Sequence, residues 1–174
     1  MSYYRRYFTQ NGDIVFITMV TYNRQPILID NIDLVRESFK SIKYKFEIIA
    51  GIVLKDHIHI LVRPENIEEL PKIITFFKYH FSRNYPNITI KSEIQQKRQE
   101  KGIWQRRYYD HIIRDANDLY KHIDYIHYNS VKHYNIAPKD WEFSSFKKFV
   151  ADKWYEENWY NFGDKYNIEN MEYE

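Results

Sequence analysis

His57 and His59, two residues apart in the apolar run from Ile52 to Val62, are the first side chains that could do chemistry. On a strand, residues i and i+2 share a face, so both imidazoles project together while Ile58, Ile60 and Val62 point the other way. Each neutral ring offers one lone pair, which makes the pair a partial site for a metal ion. Two ligands are too few for a metal, so the pair serves equally well as half-exposed strand histidines hydrogen-bonded to their neighbours.

Tyr125 and Asn129 form a second constellation. Their i, i+4 spacing sets them one turn apart on one face of a helix, while Ile123 and Ile126 point into the core. Brought over the two histidines, the Asn129 carboxamide oxygen completes a three-ligand set suited to magnesium or manganese, and two imidazoles tilt it toward manganese. Tyr125 is then a nucleophile beside that ion. Attack on a phosphodiester needs charge stabilisation, alignment, and help for a phenol whose free pKa is about 10. The energy of the broken bond stays in a phosphotyrosine, so a second strand can be joined in the reverse reaction without ATP. Taken alone, Tyr125 reads first as a boundary tyrosine with a packed ring and a wet hydroxyl.

The elements that must position these residues follow from periodicity. Residues 13–21 are β-branched and apolar, which predicts a buried strand. Ile32, Val35, Phe39 and Ile42 predict a helix over 31–44, with Asp30 or Asn31 as N-cap. Residues 46–54 and 57–62 are a second and third strand, joined by the polar turn Lys55-Asp56, and Pro64 ends the hairpin. Leu70, Ile73, Ile74, Phe77 and Phe81 predict a helix over 68–83, with Pro71 in its first turn. The polar stretch 84–102 reads as a partly ordered, DNA-facing loop. A fourth strand spans 104–114, with Tyr109, His111 and Ile113 alternating against Asp110, Ile112 and Arg114. Asp115 then caps a third helix, Asp118 suits its first turn, and Leu119, Ile123 and Ile126 form its buried stripe. Two strand–helix–strand passages around an antiparallel hairpin predict an α+β, ferredoxin-like sandwich. Its helices cover one sheet face and the two histidines lie on the other. Trp141, Phe143, Phe146 and Phe149 make residues 138–150 an apron on the core. One domain over 1–150 is expected, followed by a tail over 151–174 of short helix and frayed end.

Composition narrows the setting. The 174 residues suit one domain with a proper core. Cys is absent, so neither disulfides nor thiolate sites arise and a reducing cytoplasm is the simplest location. The N-terminus lacks the apolar stretch of a signal peptide, and no apolar run approaches the roughly 20 residues of a membrane span. A net charge of +2 is too small to argue for nucleic acid by itself. Aromatics reach 18%, with 17 Tyr, and many sit beside cations, as in Tyr3-Tyr4-Arg5-Arg6-Tyr7 and Trp104-Gln105-Arg106-Arg107-Tyr108-Tyr109. Such interleaving suits single-stranded or hairpin nucleic acid, where rings stack on bases and Arg grips phosphate. An AT-rich genome, which inflates Tyr, Lys, Asn and Ile codons together, accounts for it equally well.

Several blocks carry a family resemblance: Tyr4-Arg5-Arg6-Tyr7, Leu54-Lys55-Asp56-His57-Ile58-His59-Ile60-Leu61-Val62, residues 103–115, His122-Ile123-Asp124-Tyr125-Ile126-His127-Tyr128-Asn129-Ser130-Val131-Lys132-His133, and Trp141-Glu142-Phe143-Ser144-Ser145-Phe146. In order and spacing, from near the N-terminus to about Val150, they resemble the REP-associated tyrosine transposases of the HUH nuclease superfamily. The resemblance implies the HUH palm fold and a metal-dependent strand transferase that nicks single-stranded DNA near an imperfect hairpin. It implies His57 and His59 as the metal-binding pair, Asn129 as third ligand where the insertion-sequence relatives carry Gln, and Tyr125 as the nucleophile. Cleavage would leave a 5′-phosphotyrosine and a free 3′-hydroxyl. The chain departs from the family at Lys55, where Pro is usual, and at Ser130 and Tyr134, which replace a Pro and a Gly after the catalytic helix.

Phosphate contacts are expected from Arg5, Arg6, Lys97, Arg98, Arg106 and Arg107. The partner is single-stranded or hairpin DNA, with no membrane, and the protein acts as a monomer or a homodimer. A hairpin-binding protein that keeps the fold without turnover is the competing reading. A metal hydrolase using the His pair to activate water lacks a general base.

Overall fold

The computed structural model describes residues 12–86, 102–160 and 171–173. Along these the chain forms β1 (Val15–Val20), α1 (Ile32–Lys40), β2 (Phe46–Val53), β3 (His57–Pro64), α2 (Leu70–Asn84), β4 (Tyr109–Ile112), α3 (Ala116–Tyr134) and α4 (Phe146–Ala151). The strands make one sheet in the order β2-β3-β1-β4. Every neighbouring pair is antiparallel. This is the expected α+β, ferredoxin-like arrangement, with the β2–β3 hairpin between two helical crossovers.

Strand alternation splits the core into two layers. Val15, Ile17, Met19, Ile58, Ile60 and Val62 pack with Val35 of α1 and Ile73, Ile74, Phe77 and Phe81 of α2. On the opposite face, Phe16, Ile52 and Leu61 pack with Ile123 and Ile126 of α3, and with Trp141 and Phe149. Helices therefore cover both faces, where the sequence led us to expect one. The apolar stripe of α3 needs a surface of its own, and the face carrying Phe16 and Leu61 supplies it.

Two elements are shorter than their patterns. α1 stops at Lys40 because the Ser41 hydroxyl donates to the Ser38 carbonyl at 2.9 Å, closing the last turn. β4 begins at Tyr109: Trp104 bridges Thr21 alone and lodges its indole against Phe77 and Phe81 at 5.6 and 5.3 Å. The ladder resumes only where Tyr109 meets Thr18.

α3 starts as expected, with the Asp115 carboxylate accepting the Asp118 amide at 2.8 Å. It ends at Asn135, which takes the left-handed conformation and donates to Ser130 and Val131. Tyr134 anchors that end, since its hydroxyl accepts the Lys55 amide at 3.0 Å and its ring stacks on Trp141 at 5.0 Å. The apron covers the β2 edge through Phe143 to Val53 and Ser145 to Gly51, a backbone cover that keeps that edge from pairing elsewhere. Residues 152–160 are turns rather than a short helix. They pack down through Tyr155, whose hydroxyl donates to Asp124 at 2.6 Å. No helix among the described residues is long and apolar enough to cross a membrane.

Candidate active site

β3 is the central platform. His57 and His59 are both fully buried at 0% exposure, against the half-exposed position read from the strand pattern, because α3 closes over them. Their rings lie 4.8 Å apart, edge to face. The β1–β3 register sets Thr18 opposite His59, and the hydroxyl meets Nδ1 at 2.8 Å. His57 Nδ1 meets Asp56 Oδ1 at 2.7 Å. The other Asp56 oxygen accepts from Arg24 at 3.1 Å. Burial pushes the Asp56 carboxyl up, but His57 and Arg24 together hold it below the ordinary carboxylate range. With Nδ1 of each ring engaged by Thr18 or Asp56, Nε2 is the nitrogen able to take a ligand.

Arg24 reaches Asp56 from a tight turn in which Asn23 and Arg24 both hold positive φ, at 53° and 49°. Such conformations cost on the order of 1–3 kcal/mol each and concentrate at functional sites. Here they aim a cation at the residue that orients His57.

α3 supplies the second half. Tyr125 and Asn129 are both fully buried, and the Tyr125 ring lies 5.2 Å from His59 and 5.9 Å from Phe16. Asn129 Nδ2 donates to the Tyr125 carbonyl at 2.6 Å, which fixes the carboxamide. Its Oδ1 is buried with no hydrogen-bond partner. A buried carbonyl oxygen left so costs about 1–3 kcal/mol, and it is the donor a hard cation would take. Lys132, one more turn along, sits 5.3 Å over the Tyr125 ring and donates to the Met171 carbonyl at 2.7 Å. Tyr173, in the same C-terminal segment, packs on Tyr125 at 5.0 Å and stacks on His122 at 4.9 Å. The nucleophile candidate thus lies beneath the chain's own C-terminus, where a frayed end was expected.

Among the described residues, one His/Asp trio is close enough to hold an ion: His111, Asp118 and His122. Its chemistry argues against that. One Asp118 oxygen already accepts from His111 at 2.8 Å and from the Arg114 side chain at 3.0 Å. Burial pushes the Asp118 carboxyl up, but Arg114 and His111 outweigh it and hold it well below the usual range. A cation would face the permanent Arg114 charge. The trio braces the start of α3 against β4, with His111 stacked on His122 at 4.7 Å.

The sequence-read residues His57, His59, Tyr125 and Asn129 come together on two adjoining elements. Arg106 and Arg107 are exposed on the segment before β4. Arg5, Arg6, Lys97 and Arg98 lie outside the described residues. Sequence reading passed over Thr18, Asp56, Lys132 and Tyr173. Thr18 carried a signal, as the one polar residue inside an apolar strand, and so did Asp56, a carboxylate beside the first histidine.

Comparison with known proteins gives the family. The family model described as IS200-like transposase matches residues 11–129. A Haemophilus influenzae protein described as a REP-associated tyrosine transposase is 42% identical over 165 residues, covering 91% of this chain and 93% of its own. The REP-associated tyrosine transposase of Escherichia coli K12 is 32% identical over 163 residues, covering 91% of each. A solved REP-associated tyrosine transposase bound to a REP hairpin superposes with a TM-score of 0.76 at 31% identity, covering 93% of each chain. The fold and site define a tyrosine transposase. The chain belongs to the IS200-like transposase family, among its REP-associated tyrosine transposases.

Proposed function

We propose that this transposase is a metal-dependent, cytoplasmic single-strand DNA endonuclease and strand transferase that acts at hairpin DNA through a 5′-phosphotyrosine on Tyr125. The observation that carries it is Asn129: its amide is tied to the Tyr125 carbonyl while its buried Oδ1 has no hydrogen-bond partner, one helical turn from the nucleophile. His57 Nε2, His59 Nε2 and Asn129 Oδ1 would hold magnesium or manganese, which would bring positive charge to the non-bridging oxygens of the scissile phosphate.

The chain's own residues do the rest. Thr18 and Asp56 lock the two imidazoles, so little reorganisation is left for the reaction. Tyr125 Oη attacks phosphorus; the new O–P bond forms as the bond from phosphorus to the 3′-oxygen breaks. The phenol proton leaves to solvent, the 3′-oxygen takes up a proton, and the 5′-phosphate stays on Tyr125. Attack by the 3′-hydroxyl of another strand reverses the step and joins the two. Tyr125 packs beside His59 of its own chain, the arrangement of a tyrosine acting in cis, in a monomer or a homodimer. The hairpin held by the solved relative supports hairpin DNA as partner. Arg106 and Arg107, both exposed, are proposed to contribute phosphate contacts together with Arg5, Arg6, Lys97 and Arg98.

Incubation with a labelled hairpin oligonucleotide and manganese should give an SDS-resistant protein–DNA adduct that EDTA abolishes. Tight hairpin binding with no adduct under any metal would favour the competing reading, a hairpin-binding protein without turnover.

A further inference from the structure

We propose that His133 is a further ligand of the metal site, a third imidazole beside His57 and His59. The proposal rests on the metal reading above and enlarges its donor set. His133 stands four residues after Asn129 in the last turn of α3, so the two share one face of the helix. Its ring lies 4.9 Å from that of His57, edge to face at 71°, nearly the separation of His57 from His59.

That separation has a meaning for ligands. With a metal–nitrogen bond of about 2 Å, an imidazole centroid sits about 3.2 Å from the ion, and two rings about 90–110° apart around it have centroids about 4.5–5.2 Å apart. Both pairs, at 4.8 and 4.9 Å, fall inside this range. A histidine at a helix C-terminus ordinarily turns to solvent or to the last carbonyls. Here its Nε2 is buried although the residue as a whole is half-exposed.

Tyr134 fixes the approach. Its bond to the Lys55 amide and the Lys55 ammonium over its ring at 4.9 Å tie the end of α3 to the turn that launches His57. Ser130 lets the helix run unbroken through Asn129 to His133, where a Pro would remove a backbone donor. Three imidazoles and one amide oxygen make a softer set than two, and move preference further from magnesium toward manganese.

The test is a manganese titration of the full chain followed by electron paramagnetic resonance, with wild type, His133→Ala, His133→Gln and His59→Ala compared after their folds are matched by circular dichroism. Pulsed spectra of protein labelled with 15N-histidine count the bound imidazoles. Wild type should show three. His133→Ala and His133→Gln should each show two, bind manganese at least about tenfold more weakly, and discriminate less between manganese and magnesium. Wild-type affinity and an unchanged imidazole count in both His133 variants, with His59→Ala impaired, would overturn the role of His133 and leave the metal reading standing. No imidazole-bound manganese in wild type would overturn both.

Discussion

Thr18 stands directly across from His59 in the β1–β3 register, and its hydroxyl lies 2.8 Å from the His59 Nδ1. The pairing turns a register into chemistry. A one-residue slip would send Thr18 to the opposite face with Ile17 and Met19, and His59 would lose the contact that sets its tautomer. Asp56 does the same for His57 from the preceding turn. Both orienting groups come from the sheet and hairpin, so the orientation of the imidazoles does not depend on a side chain of α3.

Thr18→Val keeps the shape and removes the acceptor for the His59 ring. Manganese affinity should fall about 10–100-fold, and Thr18→Ser should recover most of it. Calorimetric titration measures both, and equal affinity in all three proteins would show that the hydroxyl has no part in the site.

Arg106 and Arg107 are exposed next to β4, with no role in the core. Replacing both with Ala should weaken hairpin binding and lower the slope of log affinity against log salt by up to about 1.4, since each lost phosphate contact on single-stranded DNA lowers it by about 0.7. Fluorescence anisotropy across a salt series reads the slope. An unchanged slope would turn the basic pair away from DNA.

His127 bonds Ser145 through Nε2 at 2.8 Å, inside the layer between α3 and α4. Burial pushes it down to about 3, against 6.5 for the free group. Above pH 6.5 both folded and unfolded chains hold it neutral. As pH falls from 6.5 toward 3 only the unfolded chain takes up the proton, so stability declines by about 1.4 kcal/mol per pH unit from this residue. Urea unfolding between pH 7 and 4 should show the decline in wild type and a flatter profile in His127→Gln. Parallel profiles would assign the acid lability elsewhere.

Tyr125 is fully buried, with Tyr173 and the Lys132–Met171 bond over it. A phosphodiester reaches the hydroxyl only when that segment shifts. Removing residues 171–174 should raise the rate of adduct formation several-fold and lower the thermal midpoint, because Met171 and Tyr173 also pack on the layer that holds Phe16 and Tyr125. Slower adduct formation after truncation would make the segment part of the working site.

The sequence carried the fold class and the central quartet for a physical reason. Strand and helix periods are short-range, and they place His57 beside His59 and Tyr125 one turn from Asn129 regardless of tertiary context. The second layer was illegible because it depends on packing across elements: α3 has one apolar stripe in Ile123 and Ile126, and nothing local says which face receives it. Thr18 gains meaning only through a pairing 41 residues away in sequence. Tyr173 is further still from the residues it covers, and a polar, aromatic C-terminus looks the same in sequence whether it frays or docks. β4 was overextended because Trp104, apolar and near its start, is held by α2 rather than by the ladder.

The central claim is that Tyr125 takes the DNA. Wild-type protein incubated with a hairpin oligonucleotide and manganese, digested with nuclease and protease and examined by mass spectrometry, should yield a nucleotide-modified peptide with the phosphate on Tyr125. Tyr125→Phe should yield none while binding the hairpin within a few-fold of wild type, because only the hydroxyl is lost. A modified peptide on Tyr120 or Tyr128, or an adduct that persists in Tyr125→Phe, would contradict the account.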